Sequence, residues 1–99
     1  LPKPGEGPSP IQQERGFFDL RLFGRTNDGR NLRVKVTGDR DPGYGSTAKM
    51  LGEAAACLAF DVSRAEVGGG FWTPASALGE KLLARLQAHA GLGFERQDD

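Results

Sequence analysis

The sequence predicts an α+β chain: a β-hairpin packed on a buried helix, then an amphipathic helix, with a sheet that stays incomplete. Three observations predict it. Two runs alternate apolar and polar residues with period two on either side of a Gly-containing turn. A long run with only two charges follows a pair of hydroxyl residues, and a second run with one apolar stripe follows Thr73-Pro74. No later segment offers a long strand, although a two-stranded hairpin is marginal in water and leaves two open edges. The sheet is therefore expected to be completed by a second copy or by missing chain.

Residues 1–16 read as a Pro/Gly-rich arm and residues 17–99 as the α+β unit. The first ten residues hold four of the six prolines and two glycines, which suits turns and extended backbone. Ser9 before Pro10, with Gln12 three residues on, has the pattern of a capped helical turn that Gly16 would end. From Phe17 to Arg25, Phe18, Leu20 and Leu22 face one way, and Asp19 and Arg21 the other. From Asn31 to Gly38, Leu32, Val34 and Val36 repeat the pattern. Thr26 to Arg30 makes the turn, with Gly29 where a positive φ is wanted.

The stretch Gly38 to Ala48, G-D-R-D-P-G-Y-G-S-T-A, then leads into a helix capped by Ser46 or Thr47 and running to about Phe60. Its charges fall in the first two turns. A helix apolar nearly all round is expected to be buried, here against the inner face of the hairpin. Gly52, Ala55, Ala56 and Ala59 would let a neighbouring backbone come close. Asp61 to Glu66 reads as a loop and Gly68-Gly69-Gly70 as a flexible stop. Thr73 caps the next helix with Pro74 at its first position, and Ala75, Leu78, Leu82 and Leu86 share a stripe up to Ala90. Gly91 is the expected residue after the helix end. Leu92 to Glu95 makes a short strand at best, and Gln97-Asp98-Asp99 should fray.

Composition narrows the function. Thirteen basic and thirteen acidic residues give zero formal charge, so no duplex-binding surface and no nucleic-acid partner is expected. The lone Cys57 precludes an internal disulfide framework and fits a reducing, cytoplasmic setting. No apolar run approaches the ~20 residues of a membrane span. The opening residues lack the features of a signal peptide, and the chain begins without Met, as an excised segment would.

Several motifs are candidates for chemistry. Gly43 to Ala48 fits G-x-G-x-x-A between a strand and a helix, the form of a dinucleotide fingerprint. The strand before it belongs to a hairpin and no parallel strand follows, so a self-contained dinucleotide site is not expected. The loop and helix start could still meet an anionic group of a ligand held elsewhere. Asp39 and Asp41 flank Arg40 and read as turn caps paired with it rather than an acid/base pair. Tyr44 between glycines suits packing over a neighbouring loop. His89 sits in a last helical turn, and without ligand spacing no metal site is expected. Cys57 among alanines reads as a small apolar filler. Phe71 and Trp72 read as anchors of the second helix or as the closure of a pocket.

With these motifs in place, the chain resembles the C-terminal part of the saccharopine dehydrogenase-like oxidoreductases, nearest the bacterial branch labelled trans-acting enoyl reductase. P-K-P-G-E-G-P-S, D-P-G-Y-G-S-T-A-K-M and G-G-G-F-W-T-P-A-S-A-L-G-E carry the likeness. The resemblance implies a parent enzyme with an N-terminal Rossmann domain that holds NAD(P), and a C-terminal region that covers the cleft and often mediates dimerisation. It implies no cofactor bound by this stretch, no catalytic residue in it, and a small-molecule or lipid substrate in the parent. By the same likeness Asp41, Gly43, Tyr44, Gly45, Ser46, Thr47 and Thr73 are the residues expected to face a cleft or ligand. The rival reading is a non-enzymatic module that self-associates through its sheet edge.

Overall fold

A computed structural model describes residues 3–97. The order is α1 (Pro10–Arg15), β1 (Phe18–Arg25), β2 (Asn31–Gly38), α2 (Gly45–Phe60), α3 (Pro74–His89) and β3 (Leu92–Arg96). The architecture is α+β, and the three-stranded antiparallel sheet β1-β2-β3 is open at both edges among the described residues.

The small capping motif at the start forms as its residues dictate. Ser9 Oγ accepts the Gln12 N–H, and Gln12 Oε1 accepts the Ser9 N–H. The helix α1 it opens then docks on the central loop, where the Asp41 N–H donates to the Gln13 carbonyl at 3.2 Å. The hairpin also forms, with register Leu20↔Val36 and Leu22↔Val34, so its apolar residues share one face. The opposite face carries Asp19, Arg21 and Lys35, with Arg21 and Lys35 paired across the strands and both ion-paired to Asp19.

The C-terminal strand is more than a marginal addition. It pairs with β2 over five positions, Val34↔Arg96 through Gly38↔Leu92, and brings Phe94 beside Val36 on the apolar face. Leu92 is buried and anchors the strand. Of the tail expected to fray, Gln97 is instead held, its N–H donating to the Arg33 carbonyl at 2.8 Å as a continuation of the ladder, and residues 98–99 lie outside the described residues.

The core joins Cys57 of α2 to Leu78, Leu82 and Leu86 of α3, with Ala90 and Leu92 behind them. Phe18 and Phe94 close it from the sheet. Two expectations need correction. First, the helix expected to be buried against the hairpin lies along α3, and only one side of it is covered: Cys57 is fully buried, whereas Leu51, Leu58 and Phe60 are exposed. The leucine stripe of α3 occupies the side of α2 that would have met the sheet, and the described chain has no further layer for the other side. Second, α3 is kinked at Gly79 (φ 52°, ψ −133°). Before the kink the helix is turned, so Ala77 rather than Ala75 packs on the core and Ala75 is exposed.

Candidate functional site

The loop between β2 and α2 is held by a set of internal hydrogen bonds. A helix start leaves its first N–H groups without helical partners, and a side-chain oxygen usually takes them. Neither Ser46 nor Thr47 does so here. Asp41 reaches forward instead: Oδ2 accepts the Tyr44 N–H at 2.8 Å, Oδ1 accepts the Gly45 N–H at 2.9 Å, and its carbonyl accepts the Ser46 N–H at 2.9 Å. The two hydroxyls turn back into the loop. Ser46, fully buried, donates to the Arg40 carbonyl at 3.0 Å, and Thr47 donates to the Pro42 carbonyl at 2.5 Å.

This arrangement explains the residue types. A Cβ at position 45 would stand 2.8 Å from the Asp41 carboxylate, so Gly45 is what admits the cap. Asp39 pairs with Lys49 across 3.2 Å rather than with Arg40, because the Asp41 carboxylate is committed to the helix start and Asp39 faces the first turn of α2. The ring of Tyr44 lies beside Gly7 in the arm, the packing over a neighbouring loop that its flanking glycines suggest. Asp41, Gly43, Tyr44, Gly45, Ser46 and Thr47 are thus gathered in one compact loop. Thr73 is not part of it. Its hydroxyl accepts the Ser76 N–H in the cap of α3, and the residue lines a groove beside α2.

These residues do not fit a dinucleotide. The sheet is antiparallel throughout, and a carboxylate already occupies the helix-start donors that a pyrophosphate would need. Among the described residues no group of His, Cys, Asp and Glu is placed to hold a metal ion.

A second feature was not legible as such in the sequence. Between α2 and the glycine-rich segment runs an open groove of about 880 Å³, lined by Leu51, Leu58, Val67, Trp72 and Leu78, with Arg64 also on its wall. The Trp72 indole N–H donates to the Gly68 carbonyl at 2.9 Å and ties the segment back on itself. Trp72 therefore serves the groove wall, while Phe71 is fully exposed and anchors nothing among the described residues. Two signals were available, the apolar character of α2 and Trp72 after three glycines as the closure of a pocket, but neither named the opposite wall.

At the far end of α2, Arg85 forks between two acids. It donates to both carboxylate oxygens of Asp61 and to Glu53 Oε2 at 3.2 Å. Its hydrogen bond holds the Asp61 carboxyl below the usual range, and the two acids together raise the guanidinium pKa. Lys81 adds a bond to the Asp61 carbonyl at 2.8 Å and one to Glu66 at 2.6 Å. These ion pairs lock the 61–66 loop to α3. Cys57 lies beside Asp61 with its thiol pushed up, mainly by burial. His89 is exposed in the last turn of α3.

The chain has relatives among curated proteins. It is 39% identical over 95 residues, 96% of its length, to a Mycobacterium tuberculosis protein provisionally named a trans-acting enoyl reductase, of which this covers 22%. It is 41% identical over 85 residues to the trans-acting enoyl reductases of Mycobacterium ulcerans and Mycobacterium bovis, covering 86% of this chain and 20% of each of them. The chain thus spans about a fifth of the length of the curated relatives it matches. No family model and no solved structure matches it. No helix among the described residues is long and apolar enough to cross a membrane.

Proposed function

We propose that this chain is the C-terminal, substrate-side and dimerisation region of an NAD(P)-dependent, saccharopine dehydrogenase-like oxidoreductase of the enoyl reductase kind, inactive alone. The observation that carries the reading is the match itself: nearly the whole chain aligns with about a fifth of proteins named enoyl reductases. The open sheet and the half-covered α2 support it, since both are surfaces a larger protein would cover. In this reading NAD(P) is held by the rest of the parent. The loop from Asp41 to Thr47 faces its cleft, in the cytoplasm, while Thr73 lies on the groove beside α2. Asp41, Ser46 and Thr47 act by giving the loop one shape, with their polar atoms engaged internally, and Tyr44 is the exposed group able to meet a substrate.

Calorimetry with NADPH and NADH tests this, run on the chain and on the full-length Mycobacterium tuberculosis relative. Binding to the relative alone is expected. Tight binding to the chain, or binding to neither, overturns it.

A specific observation favours a second reading, self-association through the sheet edge. The strand β1 spans eight residues at the open edge and exposes Leu20 and Leu22. Sedimentation over a wide concentration range tests it: a persistent monomer removes the second reading.

A further inference from the structure

The groove beside α2 points to a docking surface. We infer that it seats an apolar-faced helix supplied by the part of the longer oxidoreductase that this chain lacks. The inference rests on the proposed reading only in taking the chain as part of a longer enzyme, and it adds which surface meets the remainder and what kind of element lies there.

Leu51 and Leu58 stand two turns apart on α2, 71% and 64% exposed, so they form one stripe rather than two scattered residues. Across from them Val67 and Trp72 make the other wall, and Ala77 and Leu78 of α3 lie beneath. Phe60 and Phe71 are also exposed but lie outside the groove lining. The open side of the groove separates an interface from a ligand pocket. A pocket encloses most of its ligand, whereas this groove is open along one side.

The chemistry of the walls selects a helix. Two of the walls are sides of α2 and α3, whose backbone groups are bonded within the helices, so an incoming strand finds no edge to pair with there. An element seated there must satisfy its own backbone, as a helix does. The ridges of α2 and the small side chains of Ala54 and Ala55 between them suit its close approach. The source of the helix follows from length: nearly four-fifths of the relative lies outside the matched stretch.

The test pairs two proteins. In this chain Leu51→Glu with Leu58→Glu should leave the melting temperature within about 2 °C, because both side chains already face solvent. In the full-length Mycobacterium tuberculosis relative, Glu at the two aligned positions should lower it by at least about 5 °C and should speed proteolytic release of the matched stretch. Equal tolerance in both proteins overturns the inference. So does equal damage in both, which would make the leucines internal core. A chain dimer that the substitutions dissociate assigns the surface to a second copy, and lost activity with unchanged melting assigns it to a ligand. Failure of cofactor binding in the calorimetry would leave these stability results standing, so the two readings fail separately.

Discussion

Replacing Asp41 by alanine tests whether that carboxylate organises the loop. The substitution strips the acceptor from two N–H groups at the start of α2, bonded at 2.8 and 2.9 Å, one of them half-buried at Gly45. Loss of a helix cap costs about 0.5–2 kcal/mol, and a doubly bonded cap belongs in the upper half of that range, about 1.5–2 kcal/mol. For a domain of this size each kcal/mol moves the midpoint by about 4–8 °C, so thermal unfolding should occur about 6–16 °C lower. Urea denaturation followed by circular dichroism should give the same loss at an unchanged m-value. Asp41→Asn keeps an oxygen acceptor of the same reach and should retain most of the stability. An Asp41→Ala protein within about 0.5 kcal/mol of the original would refute the cap. An Asp41→Asn protein as unstable as the alanine variant would assign the effect to charge at the helix start. In the full-length relative, the Asn variant losing activity with its stability intact would mean the carboxylate also serves a ligand.

Other outcomes follow from the same geometry. Gly79→Ala should destabilise the chain, since a non-glycine residue at that φ carries about 1–3 kcal/mol of strain against about 1 kcal/mol of improved helix propensity. A gain in stability would mean that α3 runs straight. Leu82→Ala empties the middle of the small core and should cost about 2–4 kcal/mol, measured by denaturant unfolding; a loss under about 1 kcal/mol would place the core elsewhere. The Asp61 carboxyl has its folded-state pKa depressed by Arg85, so its contribution is complete above about pH 4 and is lost as pH falls through the folded value. Asp61→Asn should therefore flatten the acid side of the stability profile, and an unchanged profile would remove the pair from the balance. Cys57 is fully buried with a raised thiol pKa and should react with Ellman's reagent only on unfolding; rapid labelling of the folded chain would contradict that.

Most of the local structure was written in single residue types. Ser9, Pro10 and Gln12 specify a capping box wherever they are placed, and the alternation around Gly29 specifies a hairpin with one apolar face. Thr73-Pro74 starts a helix for the same local reason. These features depend on neighbours within a few positions, so they are legible without the fold. The candidate loop was legible as a position but not as a mechanism. Its cap comes from Asp41 reaching forward to the Tyr44 and Gly45 N–H groups, while the Ser46 and Thr47 hydroxyls bond backward. Which of several oxygens meets a given N–H depends on the path of the whole turn.

The tertiary structure alone decided which surface is core. The apolar run from Ala48 to Phe60 says that α2 prefers contact to water, but it does not name the contact. Leu78, Leu82 and Leu86 of α3 meet it on the Cys57 side, leaving Leu51 and Leu58 outside. The same holds for Leu92 to Arg96, legible only as a short strand, with its place in the sheet set by the β2 edge. Sequence by itself determined the elements and their polarity, because those are set by backbone geometry and by side chains a few residues apart. Partners were settled only in three dimensions, because burial is a competition among all the apolar surfaces a chain can bring together.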